Sequence, residues 1–147
     1  MRYATTNQTQ INAIASDDVE FLLENINAGM SINDAIEAQV EGAMEDQFDE
    51  TNFDAPFNPK QLAQAYREAI REELTTSANE VNKYRRAHEE CEGEWIEYQE
   101  EGMNYEACPV TTPFGVVYYS RNTEDNEDEG ILDKETFLFH KKEVVAA

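Results

Sequence analysis

Apolar residues recur at helical spacing from residue 19 to residue 98 of this chain, and capping signals divide them into segments. Val19, Leu22, Leu23 and Ile26 stand three and four apart behind Ser16, Asp17 and Asp18, and Gly29 follows. A serine cap, acids in the first turn and glycine at the C′ position predict a helix from Asp17 to about Ala28. Ser31, with Asp34 three residues on, predicts the start of a second helix. Its apolar row is Ile32, Ile36, Val40, Met44 and Phe48. Phe53 to Pro59 is a connector. Asn58 as cap and Pro59 at the first position then open a third helix.

The third pattern runs through Leu62, Tyr66, Ala69, Ile70 and Leu74, then Val81, Tyr84, Cys91, Trp95 and Tyr98. A heptad of Ile70, Ser77, Tyr84, Cys91 and Tyr98, with Leu74, Val81, His88 and Trp95, favours one helix to about Glu101. At ~1.5 Å per residue it would be roughly 60 Å long and would seek a partner helix or a second subunit. The alternative is a break at Thr75-Thr76-Ser77, where Ser77 and Glu80 have capping-box spacing. Past Gly102, Pro109 and Pro113 exclude helix. Phe114 to Ser120 reads as a strand, Thr136 to His140 as its partner, and Arg121 to Gly130 as the acidic loop between them. The segment from Lys141 reads as a tail or an extension of the last strand. The expected fold is therefore α+β, mainly α: three to four helices including one long helix, with a C-terminal β-hairpin. One domain spans 1–147, helical over 16–101, with the hairpin in 109–141.

Charge changes this picture. The 147 residues hold 32 acids and 11 bases, a net charge of −21. Residues 3–59 contain twelve acids and no Lys or Arg; residues 87–120 contain eight acids and again none. Two carboxylates ~6 Å apart repel by ~0.7 kcal/mol even in water, so clustering on this scale erodes a stability of ~5–15 kcal/mol. A negative surface disfavours nucleic acid and anionic lipid as direct partners. No run of ~18 apolar residues offers a membrane span. The N-terminus has no apolar signal region, and two cysteines are too few for a disulfide framework. The expected setting is cytoplasmic, in a host cell if the protein is phage-encoded.

Catalytic motifs are missing from the sequence, and no enzyme activity and no cofactor are expected. His88 and Cys91, one turn apart, could meet Cys108 or His140 around zinc, but the spacing matches no zinc motif and packing explains them. Asp125, Glu127, Glu129, Gly130, Leu132 and Asp133 approximate a calcium loop. Its twelfth position is Thr136 where Glu is required, so a solvated acidic loop is the simpler reading.

Two acid rows remain: Glu37, Glu41, Glu45 and Asp49, and Glu90, Glu94, Glu97 and Glu101. Read plainly, they solubilise the protein or adapt it to salt. Read functionally, they imitate DNA, which carries one charge per ~1.7 Å of axis. Small phage and plasmid proteins that block restriction enzymes share this size and charge, a likeness of composition and not of motif. The expectation is an acidic inhibitor that occupies the basic groove of a host DNA-binding enzyme. Trp95 and Tyr98 would be its anchors, and dimerisation through the long helix would lengthen the negative track. The alternative is a virion or complex assembly protein (scaffold, adaptor or chaperone) using that helix as a seam.

Overall fold

The computed structural model describes residues 8–47, 58–125 and 128–146. The chain forms two compact units, Met1–Arg71 and Glu72–Ala147. The first carries α1 (Gln8–Asn27), α2 (Ile32–Gln47) and most of α3 (Pro59–Thr76). The second carries the end of α3, α4 (Ala78–Ala87) and a 3-10 turn at Glu89–Cys91. Four strands follow, β1 (Ile96–Glu100), β2 (Met103–Thr112), β3 (Gly115–Asn122) and β4 (Glu129–Leu132), and then α5 (Lys134–Ala146). Among the described residues, no helix is long and apolar enough to cross a membrane.

In the first unit, α1 begins well before the expected boundary. Ile11, Ala15, Leu22, Leu23 and Ile26 form its buried stripe. Asp18 stands on that stripe between Ala15 and Leu22, where its Oδ2 accepts a 2.7 Å hydrogen bond from the hydroxyl of the fully buried Tyr66. A carboxylate among apolar positions conceals the period. Ser16, expected as the cap, is an exposed mid-helix residue. The other two starts are built as the sequence indicates. Ser31 Oγ accepts from the Asp34 N–H at 3.1 Å, and Asn58 Oδ1 from the Lys60 N–H at 2.9 Å. Leu62, Tyr66 and Ile70 give α3 a fully buried row.

The expected long helix does not form. Ser77 is extended (φ −96°, ψ 107°) and its side chain accepts from the Glu80 N–H, so a serine cap separates α3 from α4, while the Ser77 N–H donates to the Glu73 carbonyl and not to Glu80. The helix then stops at His88. Gly93 lies against Pro109, donating its N–H to the Pro109 carbonyl at 2.7 Å, and a Cβ there would run into the proline ring. Residues 96–100, expected as helix, are strand β1, with Ile96 and Tyr98 buried and Glu97 and Gln99 exposed. Glu101 (φ 51°) and Gly102 (φ 79°) make the two-residue turn into β2, with positive φ at both positions as a type I′ hairpin turn requires.

The expected C-terminal hairpin is also replaced. The strands form one four-stranded antiparallel sheet in the order β1-β2-β3-β4. Thr136 to His140 is helix, not strand: Asp133 caps α5, its Oδ1 accepting from the Thr136 N–H at 2.7 Å. Phe137 and His140, three apart on α5, reach one sheet face, where Phe137 stacks on Tyr118 and His140 on Tyr98. Ile96 and Ala107 complete that core. The opposite face, carrying Tyr119, meets Arg85 of α4.

Two glycines test this packing in opposite directions. Gly93→Ala should lower stability by about 1–3 kcal/mol, because the methyl overlaps Pro109. Gly42→Ala, at a helical position with open space around it, should raise stability by up to about 1 kcal/mol. Urea unfolding followed by circular dichroism measures both.

Candidate protein-binding surface

Helix α2 presents two parallel rows. Ile36, Val40 and Met44 form the apolar one; Ile36 is buried and the other two are half-buried. Glu37, Glu41 and Glu45 each follow one residue later, about 100° further round the helix, and all three are exposed. Asp49, the fourth expected member, lies outside the described residues, as does Phe48 of the apolar row. The apolar row faces Pro59 and Ala63 of α3 across an open groove of about 660 Å³. Arg67 is the one base among the lining residues, and its Nη2 donates to Asn33 Oδ1 at 2.5 Å. Among the described residues no salt bridge involves Glu37, Glu41 or Glu45. The bridges instead join Arg71 to Glu68, Lys83 to Glu80, Arg85 to Glu92 and Arg121 to Glu106.

The second expected row is not a helical row. Glu90 sits in the 3-10 turn, Glu94 in the segment entering β1, Glu97 on β1 and Glu101 in the turn after it. All four are exposed, but no single element aligns them.

Of the two expected anchors, Tyr98 is buried and Trp95 half-buried. Tyr98 is buried between Tyr105 and His140, with ring centroids 5.5 and 4.1 Å away, and its hydroxyl shares a 2.5 Å hydrogen bond with Ser120. Trp95 lies between two guanidinium groups: Arg85 Cζ is 5.1 Å and Arg121 Cζ 4.7 Å from its ring. Its Nε1 donates to Glu92, whose other oxygen accepts from Arg85 Nη1 at 3.0 Å. Arg121 Nε donates to Glu106 at 2.6 Å. Sheet register puts Glu97 opposite Glu106, Glu106 opposite Arg121 and Arg121 opposite Glu129. Arg121 thus stands in a line with three carboxylates and bonds one of them, Glu106, while Glu129 takes a 2.5 Å hydrogen bond from the Tyr119 hydroxyl. This arrangement joins the sheet to α4, with the Tyr98 ring buried and the half-buried Trp95 ring lying against both arginines.

Reading the sequence missed Arg85, Arg121 and the α2–α3 groove. The arginines carry no local signal, since their partners come from other elements. The groove was hidden because a row of Ile, Val and Met is ordinarily core.

The described residues contain no group of three His, Cys, Asp or Glu side chains placed to hold a metal. His88 stacks on Tyr84 with centroids 4.3 Å apart, and Cys108 is fully buried while Cys91 is partly exposed. In the calcium-like loop, Glu129 is on β4 and Asp133 caps α5, whereas Glu127 lies outside the described residues. No protein family, curated protein or solved structure matches the chain.

Burial, reinforced by Glu92, pushes the Cys108 thiol up to about 12. Burial and the neighbouring Cys91 push the Tyr84 hydroxyl up to about 12 as well. The unfolded chain gives up these protons at lower pH than the folded one. The stabilisation they give is therefore complete below about pH 9 and is lost as pH rises towards about 12. The urea midpoint should fall across that range, and fall less in Cys108→Ala; a flat midpoint would contradict the burial of both groups.

Proposed function

We propose that the protein is an acidic inhibitor that takes the place of DNA on the basic surface of a DNA-binding enzyme, acting in the cytoplasm. The observation that carries this reading is the exposed row Glu37, Glu41 and Glu45, which no base of the described chain neutralises. Successive carboxylates on such a row stand ~5–6 Å apart, near the spacing of successive phosphates along one strand. The absence of Lys and Arg from residues 3–59 keeps the surrounding field negative, and such a field speeds encounter with a basic partner. The reading narrows from the expected two rows to the first unit, since the second row has no common element and Trp95 and Tyr98 support the core. The assembly reading has lost the 60 Å seam on which it relied.

Nuclease protection is the test. A labelled DNA duplex is exposed to restriction enzymes and to nucleases from bacterial extract, with and without the protein. Protection should appear, weaken as salt rises, and drop about tenfold or more in E37Q/E41Q/E45Q. Absence of protection against every nuclease, with binding to extract proteins unchanged in the triple variant, would rule the reading out.

A further inference from the structure

We infer that the groove along α2 and the first turns of α3 receives an amphipathic basic helix of the partner protein. This rests on the reading above, because the same carboxylates meet the partner, but it adds a requirement that DNA imitation does not. A surface that only copied phosphates would be polar throughout. Here Ile36, Val40 and Met44 run beside the acid row, and Pro59 and Ala63 close the far side. Val40 and Met44 remain half-buried on this strip, and an apolar strip rimmed by polar residues is what an interaction groove presents.

The charge pattern specifies what covers it. The two rows on α2 are parallel, one residue apart, and repeat every four residues over about 12 Å. A ridge matching both has apolar residues at i, i+4 and i+8 with Lys or Arg flanking them on one side, which is the face of an amphipathic helix. An acidic or neutral helix would satisfy the floor and meet repulsion or nothing at the rim. An extended basic strand, whose side chains alternate at a period of two, would fit the acids and miss the floor. Of the two charge signs at the groove, three glutamates face one arginine, and Arg67 is already held by Asn33.

The experiment uses the full chain and two fluorescent peptides of about fourteen residues. In one, leucines fall on a single helical face and lysines fill the flanks. The other has the same composition with leucines distributed round the helix. At near-physiological salt the patterned peptide should bind at least about tenfold more tightly. Val40→Gln and Met44→Gln, which keep the protein's charge, should each remove most of that preference while the helical circular dichroism spectrum stays native. Amide shifts in the labelled protein should concentrate on α2 and the start of α3. Equal binding of the two peptides, preference retained in both glutamine variants, or shifts lying elsewhere would overturn the proposal. So would occupation of the groove by a second copy of the chain, seen as a dimer that Met44→Gln dissociates, or by residues 48–57 of the same chain, seen as contacts from Phe53 or Phe57. The two readings fail separately. Nuclease protection lost in E37Q/E41Q/E45Q but kept in Val40→Gln and Met44→Gln leaves DNA imitation standing without the groove. Patterned-peptide binding without nuclease protection leaves the groove standing without DNA imitation.

Discussion

The shortage of positive charge, and its placement, governs this structure. Two of the eleven bases are committed inside the second unit, where Arg85 and Arg121 flank the Trp95 ring and pair with Glu92 and Glu106. Each guanidinium does two things at once, lying over an aromatic face and donating to a carboxylate, a combination that lysine's point charge serves poorly. Removing one partner of such a partly buried pair leaves the other desolvated and unmatched, at a cost of about 3–5 kcal/mol in enclosed cases. Cations used this way are unavailable to the surface, and among the described residues no salt bridge reaches Glu37, Glu41 or Glu45.

The consequence differs between the units. In the second, the sheet face against α4 pairs two of its carboxylates with arginines, and the opposite face is an aromatic stack of Tyr98, Tyr105, Tyr118, Phe137 and His140. In the first, the described acids face outward. Asp18 is an exception, set on the buried stripe and tied to Tyr66. The rest of α1 and α2 offers water a surface of one sign, with a groove of apolar side chains beside the row on α2. Negative rim and apolar floor together are more selective than either alone, since one demands charge and the other demands a ridge.

Local capping chemistry was the most legible part of the sequence. Ser31, Asn58 and Ser77 all cap as their positions indicate, because a cap is satisfied by backbone within three residues, whereas the reciprocal bond from Glu80 is not made. What misled was coincidence between periods. Trp95, Tyr98 and the glutamates between Glu90 and Glu101 fit a heptad, yet residues 96–99 also alternate, and Gly93, Glu101 and Gly102 decide for a strand. Thr136 to His140 has strand composition, but the Asp133 cap outweighs it. The start of α1 was hidden by Asp18, whose buried partner lies 48 residues away. Of the candidate site, the first acid row was readable as far as Glu45, whereas the groove beside it depends on α3 lying across from α2, which no local pattern encodes.

Among the described residues no salt bridge reaches the α2 carboxylates Glu37, Glu41 and Glu45, and the proposed function requires that the chain leaves them uncompensated. Chemical unfolding of the wild type and of E37Q/E41Q/E45Q, each at about 20 mM and about 500 mM NaCl, measures this directly. Two like-charged pairs four residues apart, with Glu45 near the negative end of the helix dipole, should make the triple variant more stable than wild type by about 0.5–1 kcal/mol at low salt. High salt should erase the difference. A triple variant that is less stable than wild type at low salt would mean the three glutamates are already held by the chain itself, and would contradict the account.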